Sequence, residues 1–332
     1  DANTVASFNT AIGADTLSTN ILASANTAVG QGALFTHNVG TAANTYNTAV
    51  GTNAGTLITT GVQNTIIGAL AGDALTDADY NTAVGYDALS TDTLGSRSTA
   101  IGINTLKSQN FTTATETYNV AVGHSAGIAV TSGIQNTLIG GLAGDALTGN
   151  GFDGSGNRVA GTDANTAVGY AALSGDTKGN GNVAVGKNAL LAQNFTTTED
   201  SFNTAVGFSA GSGLAVVGAH IPGRFNTLIG GLAGDNITTG DSNIIIGHGI
   251  DAASATADGQ LNIGGMIFGT GGASASKIGI GTSSPAAAIE IQNDTGLRIT
   301  NTADSAFVDL KRTANGAVTL GVFNGSEGGD IG

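Results

Sequence analysis

Apolar residues in this chain come in adjacent pairs, not in stripes three and four apart. Ala28 and Val29 follow Asn26 and Thr27 and are closed by Gly30, and this phrase returns unchanged at Asn47, Asn81, Asn165 and Asn203. Variants begin at Asn9, Asn64, Ser98, Asn119, Asn136, Asn182, Asn226 and Asn243, which makes thirteen copies. The starts lie 17, 21, 17, 17, 17, 21, 17, 29, 17, 21, 23 and 17 residues apart. A fixed phrase at a fixed interval marks one unit stacked many times. Seventeen residues are too few for two helices and a turn, and β-branched residues closed by Gly read as short strands. The spacing predicts an all-β chain, a parallel β-solenoid or β-roll of about 13 coils with a 17-residue base repeat over residues 1–265.

Side chains alternate faces along a strand. Thr27 and Val29 therefore share one face, and Asn26, Ala28 and Gly30 the other. The fourth position is always Val or Ile, and the third is Ala, Ile or Leu, so both faces carry apolar groups. A strand of that kind is expected to meet protein on each side. One face can fill the coil, and the other calls for a partner chain. The first position reads as a structural ladder of amides stacked about 4.8 Å apart: Asn26, Asn47, Asn64, Asn81, Asn119, Asn136, Asn165, Asn182, Asn203, Asn226 and Asn243.

A longer rhythm lies over the coil. Three residues past the closing Gly stands Ala in most coils, and the residue after it runs Leu17, Leu34, Gly55, Gly72, Leu89, Leu106, Gly127, Gly144, Leu173, Leu190, Gly211, Gly234. Two Leu and two Gly alternate three times, and each 21-residue interval follows a second Leu. After about Gly259 the phrase decays, and Leu261–Gly265 offers a fourteenth, irregular coil. Residues 266–276 are expected to be a Gly/Ala/Ser-rich link and 277–332 a separate β-rich segment, with a turn at Pro285. The abrupt ends are those expected of a fragment.

Composition narrows the function classes. Charged residues are only 10% of the chain, the formal charge is −14, and the ten Lys and Arg are scattered. Nucleic acid needs clustered basic residues, so neither it nor an anionic membrane is expected as a partner. The absence of Cys excludes disulfides and thiolate chemistry. No apolar run reaches the roughly 18 residues of a spanning helix, so membrane insertion of this segment is not expected.

The phrase followed by Tyr-x-Ala-Leu, at Asn81–Leu89 and Asn165–Leu173, resembles the heads of YadA-like trimeric autotransporter adhesins and the repeats of bacteriophage tail fibres. The resemblance spans roughly residues 3–265. It implies left-handed parallel β-rolls with three chains around one axis, hence a homotrimer, intertwined or side by side. The coil here is longer and carries 4-residue insertions. Gly279–Pro285 resembles a segment that often precedes a self-cleaving chaperone domain in phage fibres, which favours the fibre over the adhesin. Such a domain would lie beyond residue 332 or have been removed.

Chemistry was sought in three constellations. Asp73, Asp145 and Asp235 occupy equivalent sites four coils apart, about 19 Å, too far for a glycosidase pair. His37, His124, His220 and His248 show no metal spacing. Asp153, Ser155 and Asn157 alternate as in some calcium loops but lack the later acids. No catalytic, cofactor or metal residue is therefore assigned. Insertions offer candidates for surface recognition: Phe152 and Arg158 in one, His220, Arg224 and Phe225 in another, and Phe111 and Phe195 in the shared Asn-Phe-Thr context. Asn110 and Asn194 there fit the glycosylation sequon. The expected function is a structural fibre that attaches to a host cell surface through a glycan or protein, located in a virion or at a cell surface. A bacterial trimeric adhesin, a polysaccharide-degrading spike and a filament-forming matrix protein are the alternatives.

Overall fold

The computed structural model describes residues 5–149, 163–197, 199–215, 222–270, 277–285 and 289–291, together with the strands Leu297–Thr300, Phe307–Arg312, Val318–Asn324 and Glu327–Asp330. Its regular structure is all strand. Coils 1 to 14 begin with the strands Thr10–Ile12, Thr27–Val29, Thr48–Val50, Thr65–Ile67, Thr82–Val84, Thr99–Ile101, Val120–Val122, Thr137–Ile139, Thr166–Val168, Val183–Val185, Thr204–Val206, Thr227–Ile229, Ile244–Ile246 and Gln260–Ile263. Each pairs in parallel with the next, so that Thr27 meets Thr48, Ala28 meets Ala49 and Val29 meets Val50. The chain is a parallel β-solenoid, with one more coil than the phrase count. The fourteenth, Gln260–Gly264, departs from the phrase at both inward positions, with Gln260 in the ladder place and Asn262 in the place of the buried apolar residue.

The third strand position points into the coil. Ala28, Ala49, Ile66, Ala83, Leu138 and Leu228 are fully buried. They meet the second element, the Ala33–Leu34, Ala71 and Ala88–Leu89 type, which is buried as well. Fully burying one Leu contributes about 1.5–3 kcal/mol, and the core is one continuous filament of such small groups. The second and fourth positions point outward, as parity requires.

Corners close the coil. In coil 3 the backbone turns left-handed at Tyr46 (φ 53°), Asn53 (φ 56°) and Gly55 (φ 57°). The same three places recur in coil after coil, filled mostly by residues with a side chain. Gly51 (φ 141°) is demanded by contact, since a Cβ there would lie 2.5 Å from the carbonyl oxygen of Gly68 in the next coil.

Beyond coil 14 the sheet continues. Ile267–Thr270 folds back antiparallel on Gln260–Ile263, Lys277–Ile280 pairs antiparallel with it, and Ile289–Ile291 adds in parallel. The stretch expected as a link therefore opens with a strand. It does so because Ile267 and Phe268 supply side chains suited to a strand before the Gly/Ala/Ser run begins. The last four strands form a sheet of their own, antiparallel throughout.

Candidate functional site

The Asn column is buried along its length. Each Oδ1 accepts the backbone N–H of the next coil's ladder residue, as from Asn64 to Asn47 (2.9 Å), Asn81 to Asn64 (2.9 Å) and Asn226 to Asn203 (2.8 Å). The Asn64 Nδ2 donates to the Asn47 Oδ1 at 3.2 Å and to the Ala78 carbonyl at 2.8 Å. The column thus staples each coil to its neighbours from inside. A buried column offers no row of amides to a glycan.

The four-coil rhythm is a change in what fills the coil's far corner. Where Gly replaces Leu, the residue three further on is apolar and buried: Ile58 and Leu75, then Val130 and Leu147, then Leu214 and Ile237. These side chains occupy the space of the missing Leu. A Cβ on Gly72 would lie 2.9 Å from Leu75 Cδ1 and 3.1 Å from Ile66 Cδ1. Where Leu is present, the same position is polar and buried: Asn20 and His37, Asp92 and Gln109, Asp176 and Gln193. Every fourth coil step therefore carries a buried polar node, at the place where the 21-residue interval begins.

The nodes hold the insertions down. The Gln109 Nε2 donates to the Asp92 Oδ2 (2.6 Å), and the Asp92 Oδ1 accepts the N–H groups of Gly95 (3.1 Å) and Phe111 (2.9 Å). The Asn119 Nδ2 returns to the Gln109 Oε1 at 2.8 Å, which ties the node to the ladder. Asp176, Gln193, Phe195 and Asn203 repeat this arrangement. Burial pushes both carboxyls upward, against the pull of the donors from Gln109, Phe111 and Gly95 in one node and Gln193, Phe195 and Gly179 in the other. In the first node Asn20 and His37 take the two places. Two-residue parallel bridges, Ala23–Ser24 with Ala43–Asn44, Gly95–Ser96 with Thr115–Glu116 and Gly179–Asn180 with Glu199–Asp200, complete each one.

Two expected recognition residues are corrected by this geometry. Phe111 and Phe195 are fully buried and are the largest side chains in the interior. Their N–H groups are drawn in by the node aspartates, and their rings fill the corner beneath the insertion. Asn-Phe-Thr looks like a loop in sequence because its partners, Asp92 and Asp176, lie 19 residues away. Phe225 is exposed as expected and stacks on Phe202, with ring centroids 6.1 Å apart. Arg224 is spent locally on Glu199 (3.4 Å) and Asp241 (3.3 Å), with its guanidinium over the Phe225 ring. Phe152, Arg158 and His220, and the Asp153–Asn157 run, lie outside the described residues. Asp73, Asp145 and Asp235 remain apart, and among the described residues no three His, Cys, Asp or Glu could hold a metal ion.

The outward face of the first strands has a composition unlike the rest of the chain. It consists of four columns: the residue before the ladder position, the Thr column, the Val/Ile column, and the residue after the closing Gly. All five tyrosines stand there, at Tyr46, Tyr80, Tyr86, Tyr118 and Tyr170, all exposed. None of the 24 Asp and Glu does. Arg97 lies between Tyr80 (4.6 Å) and Tyr118 (5.9 Å), and Lys187 over Tyr170 (6.0 Å). One acid reaches these columns from their edge, Glu116, which accepts from the Arg97 Nε at 3.0 Å and from the Tyr118 hydroxyl at 2.7 Å. Fourteen coils at about 4.8 Å and a width of about six strand residues make this a face of roughly 1,300 Å². The only signal of it in sequence is the column register, which must be aligned coil by coil to be seen.

The chain matches no known protein-family model, no curated protein and no solved structure.

Proposed function

We propose that this chain is a segment of a structural fibre, a bacteriophage tail fibre in the first instance, that assembles as a parallel homotrimer and attaches a particle to a cell surface. The observation that supports it most is the tyrosine-bearing outer face, whose four columns contain no acid. Depletion of charge with enrichment of aromatics is the mark of an interface core, and roughly 1,300 Å² exceeds the about 800 Å² per partner of a standard interface. A chain with net charge −14 repels its own copies, so a face with no acid in its columns is where copies can meet. A stiff rod with inserted loops suits a spacer that presents contacts for a glycan or protein. In this reading the rod itself does no catalysis, and recognition falls to the inserted stretches of sequence around 150–160 and 212–225.

The test places acids on the face. Thr82→Asp with Thr137→Asp, both at outward strand positions, should turn the assembly into monomers with the β-sheet signal intact. Leu57→Lys, an exposed site outside the four columns, should leave assembly unchanged. Dissociation by Leu57→Lys alone would show that another face joins the copies.

A further inference from the structure

The first of the three polar nodes differs from the other two in both of its side chains. At the ladder end, Gln109 and Gln193 each present a side-chain oxygen to the Nδ2 of Asn119 and Asn203. In the first node a ring nitrogen stands in that place: the His37 Nε2 lies 2.9 Å from the Thr45 Oγ1 and 3.3 Å from the Asn47 Nδ2. Thr45 donates to the Asn26 Oδ1 at 2.9 Å, so towards the ring its oxygen accepts, and the neutral imidazole carries its proton on Nε2. A second proton would have to go to Nδ1, which is buried and has no hydrogen-bond partner.

Nothing nearby compensates a proton on this ring. His37 is fully buried among Thr45, Asn47, Asn26 and the Thr59 backbone. The acid that stands in the other nodes, Asp92 or Asp176, is here Asn20, which is bonded to the backbone of Ala23. No charged side chain contributes to its titration. Burial alone lowers its pKa from 6.5 to about 4, with only the Thr59 backbone opposing.

We propose that the first node is an acid-operated latch: protonation of His37 releases residues 38–46 from the rod, while the insertions closed by Gln109 and Gln193 stay shut. The rest of the segment is held mainly by backbone bonds. Its bridge is two residues long, and Asn44 and Ala43 in it are exposed. Loss of the His37 contacts leaves the bonds from the Asn38 N–H to Thr59, the Ala43 N–H to Leu22, the Thr45 N–H to Ser24 and the Gln63 N–H to Thr45, together with the buried Val39. Release would free a surface segment without breaking the ladder, because the Asn47 Oδ1 still accepts from Asn64. The latch does not depend on the fibre reading, since it is set within one chain.

Hydrogen exchange read by segment tests it, on the native assembly at pH 7.5 and pH 5.0 after correction for intrinsic rates. With 6.5 for the opened ring and about 4 for the closed one, protection over 38–46 should fall by about 30-fold across that interval. Segments 110–118 and 194–202 should show no such fall. His37→Gln, which installs the residue of the other two nodes, should abolish the pH response. Asn20→Asp, which restores the missing carboxylate, should shrink it. An imidazole titration followed by nuclear magnetic resonance gives a reading without any substitution. A value above 6 for His37, or an equal loss of protection in all three segments, would overturn the proposal.

Discussion

Replacing Gly144 and Leu147, singly and together, asks whether the four-coil rhythm is a matter of shared volume. Gly144 sits at φ 55°, and a Cβ there would lie 2.8 Å from both Leu138 Cδ2 and Leu147 Cδ1. Gly144→Ala should cost about 1 kcal/mol for a left-handed residue with a side chain and about 1–3 kcal/mol for overpacking. Leu147 is fully buried, and Leu147→Ala should cost about 2–5 kcal/mol for lost contacts and the cavity. In the double variant the contact with Leu147 is relieved while Leu138 gains room to move into the space that Leu147 vacates, so much of the overpacking cost is removed. The pair should then be less destabilising than the sum by about 1–3 kcal/mol, a coupling of the size expected for residues that share a cavity. A solenoid unfolds as coupled units and not as one, so the assay must be local. Native-state hydrogen exchange at the Gly144 N–H, bonded to the Ala172 carbonyl at 2.9 Å, reports on this coil. Additivity within about 0.5 kcal/mol would refute the idea that Leu and Gly coils trade one volume between two positions.

Other expectations follow from the same contacts. Phe195→Ala empties the corner under the third insertion and should cost about 3–5 kcal/mol in local stability, read by denaturant-dependent exchange over 193–203. Asn64→Ala leaves the Asn81 N–H buried without its acceptor and should cost about 1–3 kcal/mol, most visible as faster exchange at Asn81. Asp92 and Asp176 respond to pH in the opposite sense to His37. Their carboxyls are raised by burial, so the stability they contribute is full below the ordinary carboxyl range and falls as pH rises through the raised values. Acidification from neutral pH should therefore tighten the second and third nodes while it loosens the first. Exchange at the Phe111 and Phe195 N–H groups, set against that at the Thr45 N–H, measures the two slopes together.

The coil and its stacking were legible in the sequence because β parity is strict. Thr27 and Val29 out, Asn26 and Ala28 in, follows from alternation alone, and the solenoid bears it out. What hid was the reason for the rhythm. Asn20, His37, Asp92, Gln109, Asp176 and Gln193 all stand three residues after a Leu, and Ile58, Leu75, Val130, Leu147, Leu214 and Ile237 three after a Gly. That pairing is present in the letters, but its meaning needs the left-handed corner that turns both positions into one space. Burial of Phe111 and Phe195 was illegible for a related cause. Hydrogen bonds across 19 residues of sequence decide it, while the local context reads as a loop. The fourteenth coil was blurred by Gln260 and Asn262, which replace the ladder Asn and the buried apolar residue, although the Gln260 N–H still bonds the Asn243 Oδ1 at 2.8 Å.

The mass of the intact rod in native buffer bears most directly on the central claim, that the tyrosine-bearing face joins copies of this chain. Light scattering or native mass spectrometry should give three times the 32.3 kDa chain mass, independent of dilution into the nanomolar range. A stable single-chain mass, with the tyrosines accessible to chemical labelling, would contradict it.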